Sequence, residues 1–180
     1  MRNNYAKQGA VLYLNDISIS AESENSIRSC KFENNVSEKR GAIFLSFDAG
    51  IMEISNNTFE SNRGVESCIV ISSNADPDTN YTKIQNNVFN DNDGTSISVV
   101  DNLFRSQIQL EENNFSQNSS QAVVILRHAI VTDKKSTYRY NNAESGASVT
   151  IMRDTEYRGD GIIFDNNKAN TRGGAVLATT

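Results

Sequence analysis

The sequence predicts an all-β solenoid, a right-handed single-stranded parallel β-helix of six to seven coils. Three observations carry that prediction. An aromatic-x-x-Asn motif recurs six times at near-even spacing, a short aliphatic or β-branched run follows each copy, and 24 of the 180 residues are Asn. A repeat this short cannot bury an apolar face alone, but stacked copies bury a continuous one.

In chain order the copies are Phe32/Asn35, Phe59/Asn62, Phe89/Asn92, Phe115/Asn118, Tyr138/Asn141 and Phe164/Asn167. The spacings are 27, 30, 26, 23 and 26 residues. Five residues before the aromatic stand Ile27, Ile54, Ile84 and Leu110. Two residues before it stand Asn57, Asn87 and Asn113, with Cys30 and Ile162 in the same column. After each copy comes a strand-forming stretch, beginning at Gly41, Cys68, Ile97, Ala122, Val149 and Gly174. Each unit therefore reads as two or three short strands joined by polar corners, with no sustained helical spacing. Strands from successive copies lie parallel, about 4.8 Å apart.

Asparagine suits the corners for two reasons. It tolerates the left-handed backbone region, and its amide can hydrogen-bond up and down a stacked column. Asn35, Asn62, Asn92, Asn118, Asn141 and Asn167 are the expected inner ladder, with Phe32, Phe59, Phe89, Phe115, Tyr138 and Phe164 stacked beside it. Gly41, Gly64, Gly94, Gly146 and Gly173 are expected at the next tight turn. The stretches Ser73 to Asn80, Asp101-Asn102, Arg127 to Thr137 and Asp154 to Asp160 read as insertions, which a solenoid carries as loops. The single Pro, Pro77, falls in the first of them, as a β ladder requires.

The motif pair FxxN with GGA plus an aliphatic residue resembles the repeat of chlamydial polymorphic membrane proteins and related surface β-helices of other microbes and protists. Both halves appear at Phe32/Asn35 with Gly41-Ala42-Ile43 and at Phe164/Asn167 with Gly173-Gly174-Ala175-Val176. The middle copies keep FxxN and loosen the glycine element. The resemblance implies a right-handed, pectin-lyase-like β-helix and a large surface or secreted protein in which it serves as scaffold or adhesin, without catalysis. Asn4 to Leu12 looks like the back half of a coil, and neither end shows a polar cap. Residues 1–180 are thus expected to be one β-helix segment of a longer chain, or a subunit stacked end to end on its own continuation or on others.

Composition narrows the function. A net charge of -5 and a pI near 4.9 argue against nucleic-acid binding. The longest wholly apolar run, Ala122 to Leu126, predicts no membrane-spanning helix. Two cysteines make neither a disulfide framework nor a zinc site, and Cys30 and Cys68 occupy different columns. His128, the one histidine, has no nucleophile elbow to serve and reads as a loop or strand-end residue. Polysaccharide-active β-helices need paired carboxylates on a rigid face. Asp91 and Asp93 are the nearest approach, and they read as a solvated turn. Asn90 to Gly94 fails as a calcium loop, since the first and twelfth positions are Phe89 and Val100.

Five sequons begin at Asn35, Asn56, Asn80, Asn114 and Asn118. Asn80 is the one expected in an exposed loop and is the candidate for an attached sugar. Arg127, Lys134, Lys135 and Arg139 give the third insertion a basic bias suited to a partner contact. The expectation is a non-catalytic rod at the cell surface or outside it, needing no cofactor and meeting protein or glycan partners through loops. The alternatives are a polysaccharide-binding or polysaccharide-degrading β-helix, and a scaffold subunit within a large organellar or cytoskeletal assembly.

Overall fold

The computed structural model describes residues 1–17, 24–47, 50–73, 81–100, 105–120, 123–146 and 148–179. They form 24 strands and no helix, gathered into parallel sheets that wind as a solenoid. The lateral sheet stacks Glu24–Arg28, Ile51–Ser55, Tyr81–Gln85, Ser106–Glu111, Ala129–Lys134 and Glu156–Asp160. The aromatic sheet stacks six three-residue strands, from Lys31–Glu33 to Ile163–Asp165. The third sheet has 12 strands and bends midway in most coils. Arg63–Ser73 and Asp93–Val99 run through the bend unbroken. About five turns separate the first and last aromatic strands, and the chain winds on beyond both.

Register is set by like residues piling on like. In the aromatic sheet Phe32 pairs with Phe59, Phe59 with Phe89, Phe89 with Phe115, Phe115 with Tyr138 and Tyr138 with Phe164. Consecutive rings stack with centroids 4.6 to 5.1 Å apart, the rise of one strand. A one-residue slip would turn every ring to solvent. The lateral sheet aligns Ile27, Ile54, Ile84 and Leu110 inward. The third sheet aligns Ile43, Ile69, Ile97, Val124 and Val149. The core lies between the three sheets, and Phe59, Phe89, Ile54, Ile84, Ile69 and Ile97 are wholly buried.

Two of the stretches expected as insertions contain strands of the lateral sheet. Ala129–Lys134 pairs in full register with Ser106–Glu111, and Glu156–Asp160 pairs with Ile130 to Lys134. The aliphatic column that marks the lateral sheet elsewhere carries Asp133 and Gly159 here, so the apolar alternation that would have identified the strands is missing. The Pro77 segment lies outside the described residues.

Candidate functional site

Each coil has three corners, and they differ in kind. The first joins the lateral to the aromatic sheet through two residues: Ser29-Cys30, Asn56-Asn57, Asn86-Asn87, Glu112-Asn113, Lys135-Ser136 and Gly161-Ile162. The second joins the aromatic to the third sheet, again through two: Asn34-Asn35, Ser61-Asn62, Asp91-Asn92, Gln117-Asn118, Tyr140-Asn141 and Asn166-Asn167. In both, the first residue of the pair sits in the left-handed region, with φ between 52° and 64°. The sequence had suggested that the ladder Asn itself takes this conformation. Instead the residue before it does, whether Gln117, Tyr140, Glu112 or Lys135, and the left-handed step turns the following side chain into the core.

The buried Asn is chosen for its amide. At the second corner each Oδ1 accepts both the backbone N–H and the Nδ2–H of the Asn one coil earlier. Asn92 donates to Asn118 in this way at 3.1 and 3.0 Å. Its Nδ2 also donates to the Phe59 carbonyl at 3.0 Å, so all four hydrogen-bonding positions of the amide are filled. The same pattern links Asn35, Asn62, Asn92, Asn118, Asn141 and Asn167. The file begins one rung earlier than the aromatic spacing shows, because Asn4 donates to Asn35 Oδ1 at 2.9 Å. Met1-x-x-Asn4 is thus another copy with Met in the aromatic column, and Asn3 has the left-handed φ of 57°.

The first corner holds a second, shorter ladder. Asn57 donates to Asn87 at 3.0 Å and Asn87 to Asn113 at 3.1 Å. Cys30 precedes it, its backbone N–H reaching Asn57 Oδ1. Ser136 ends it, buried, with its hydroxyl unpartnered.

The third corner is where the coils vary. It joins the third sheet to the next lateral strand through residues 18–23, 48–50, 74–80, 100–105, 128 and 153–155, a range of one residue to seven. The shortest aromatic spacing, 23, contains the one-residue connector and the longest, 30, the seven-residue one. Because the flanking strands are stacked, every variable connector leaves from one edge of the rod. His128 is the one-residue connector, with φ 47° and Nδ1 4.0 Å from the Asp154 carboxylate. A hollow of about 530 Å³ opens at this edge, lined by Ile151, Met152, Arg153, Asp154 and Thr155 among others. Among the described residues no three His, Cys, Asp or Glu side chains gather as a metal site.

The structure does not bring the four basic residues together. Arg127 ends the third-sheet strand Val124–Arg127, whereas Lys134 ends the lateral strand Ala129–Lys134. A six-residue strand, about 20 Å long, separates them. Lys135 turns the first corner and pairs with Glu112 at 3.6 Å. Arg139, on the aromatic sheet, pairs with Asp165 at 3.9 Å.

The sequons also separate. Asn35 and Asn118 are buried ladder rungs, Asn56 and Asn114 are exposed, and Asn80 lies outside the described residues. Cys30 and Cys68 are not joined in a disulfide and are half-buried and buried. Asp91 accepts from Ser61 Oγ at 2.9 Å and Asp93 from Ser119 Oγ at 3.2 Å, both on the surface.

The glycine of the last coil is required by its turn. Gly173 has φ 61°, and a Cβ there would stand 2.7 Å from the Val176 carbonyl. Gly41 is constrained differently: it has no left-handed backbone, but a Cβ would meet the Cys68 carbonyl of the next coil at 2.6 Å.

Residues 161–179 match the Chlamydia polymorphic membrane protein repeat. The matched segment contains Phe164, Asn167 and Gly173-Gly174-Ala175-Val176, the last rung of the ring stack and the turn that follows it. That repeat is found in a family of non-enzymatic surface proteins. Neither a curated protein nor a solved structure shows significant similarity to the chain.

Proposed function

We propose that this chain is a non-catalytic, right-handed β-helix segment of a cell-surface protein, a rod that holds contact loops along one edge for protein or glycan partners. The observation that carries this is the division of labour among the corners. Two are fixed at two residues in every coil, one held throughout by an amide ladder and the other by a ladder of three Asn, while the third accepts connectors of one to seven residues without disturbing register. A rigid scaffold with variable loops is how many proteins separate folding from recognition. Lys134 and Lys135 lie at the opposite end of the lateral strand from His128. In this reading they belong to a different face from the contact edge.

The test is binding by the folded chain to cultured cells and to arrayed glycans. Replacing 74–80 and 101–104 with Gly-Ser segments of equal length should abolish capture while leaving the thermal midpoint unchanged. Retained capture would overturn the contact-edge assignment. Turnover of an acidic polysaccharide by the purified chain would overturn the non-catalytic reading.

A further inference from the structure

Among the described residues, the core buries a single acid. In the inward column Ile27, Ile54, Ile84, Leu110, the next residue is Asp133 and the one after is Gly159. Asp133 is wholly buried. Its Oδ2 accepts the phenolic O–H of Tyr138 at 2.8 Å and that of Tyr157 at 2.9 Å. Tyr138 is the one hydroxylated member of the ring stack, so the acid and the phenol enter neighbouring columns of one coil together. The other oxygen, Oδ1, is buried without a partner, and so is the hydroxyl of Ser136.

Among the described residues no cation faces this carboxyl. Leu110 stands before it and Gly159 after it in the column. On its own strand Thr132 and Lys134 alternate to the outer face. Gln109 and Glu111 do so on the strand before, and Arg158 and Asp160 on the strand after. Lys135 turns the corner toward Glu112. Arg139, adjacent to Tyr138, pairs with Asp165 on the outside of the aromatic sheet. The groups facing Asp133 are therefore three hydroxyls, those of Tyr138, Tyr157 and Ser136.

We propose that Asp133 is a proton-binding site built into the solenoid core, held as the neutral acid in the tightest-packed state, so that the fold loosens around Ala129–Lys134 when it loses its proton. A neutral carboxyl brings a donor of its own, which the Ser136 hydroxyl facing it can accept, while Oδ2 keeps both phenols. The ionised form leaves a negative charge in an apolar core with no positive partner. The proton released goes to solvent, and no other group is consumed.

Burial raises the affinity of Asp133 for its proton, against the opposing pull of the Ser136, Tyr138 and Tyr157 hydroxyls. Burial, and then the Asp133 charge, likewise push Tyr138 and Tyr157 up, so both phenols stay protonated as donors. Because the folded carboxyl holds its proton more tightly than the unfolded one, its stabilising effect is complete below the unfolded Asp value. That effect is lost as pH rises through the folded value.

The experiment compares wild type with Asp133→Asn, which mimics the neutral acid in shape and donor pattern. Thermal midpoints are taken from about pH 4 to about pH 8. The two proteins should melt together at the acidic end, and the wild type should fall progressively below the variant as pH rises. A gap that stays constant with pH overturns the proposal. Independently of any variant, an NMR titration of the Asp133 carboxyl carbon in the wild type should show a midpoint above that of ordinary surface aspartates. An ordinary or lower midpoint also overturns it.

Discussion

The corners flanking the aromatic sheet and the corner that carries the connectors are built from similar residues, yet they obey opposite rules. At the former, length never changes and the second residue is buried or half-buried. At the latter, length runs from one residue to seven. The difference comes from what each turn must satisfy. A two-residue corner brings its own backbone N–H groups into the core, where an unpaired donor costs about 1–3 kcal/mol. The first residue's N–H meets a backbone carbonyl of the next coil, as Asn56 meets Gln85, whereas the second residue's N–H meets a side-chain amide, as Asn57 meets Asn87. At the connector edge the spacing between the flanking strands follows no fixed count, and loops at such positions tolerate changes of length and composition.

The sharpest way to break this comparison is a pair of neighbouring substitutions. Asn118→Ala removes the acceptor for the backbone N–H and Nδ2–H of Asn92, and the donor to the Phe89 carbonyl. With several buried groups left unpaired, the loss should reach about 4 kcal/mol, a large share of a typical domain's stability. Gln117→Gly, one residue earlier, changes an exposed left-handed position with φ 57° and should alter stability by less than about 1 kcal/mol. Chemical denaturation of both variants checks the contrast. Equal losses would mean that the ladder is incidental to the corner.

What could be read beforehand follows the same division. The ring stack and the long Asn ladder were legible because one residue type repeats in each column. The lateral strands at 129–134 and 156–160 were not, because Asp133 and Gly159 break the column that marks them, and only pairing with Ser106–Glu111 reveals their register. Met1-x-x-Asn4 is hidden in the sequence because Met stands where the other copies carry a ring. The short ladder was half visible: Asn57, Asn87 and Asn113 lined up in sequence, but their hydrogen bonding is a fact of stacking. The four basic residues looked like one patch because they are close in sequence. A strand spreads its residues at about 3.3 Å each, so closeness in sequence did not become closeness in space.

The short ladder offers a smaller effect of opposite sign. It stops at Ser136, whose hydroxyl is buried and unpartnered. Ser136→Asn supplies the Oδ1 that Asn57 and Asn87 each find in the next coil. Closing that rung should stabilise the chain by about 1 kcal/mol, raising the thermal midpoint by about 2–4 °C for a chain of this size. A lowered midpoint would show that Asp133 and Tyr138 already occupy the space an amide needs.

The smallest effect tests the permissive side. Transplanting the three-residue connector 48–50 in place of the seven residues 74–80 shortens the loop by more than half. It leaves Arg63–Ser73 and Tyr81–Gln85 in their sheets. Halving a flexible loop changes closure entropy by about 0.6 kcal/mol, so the midpoint should move by no more than a few degrees. The circular dichroism of the solenoid should stay the same. A large loss would mean that the connector carries packing of its own, and the edge would then be part of the scaffold. A small change shows that the coil closes through its two short corners alone, which leaves the third edge free to vary with whatever it contacts.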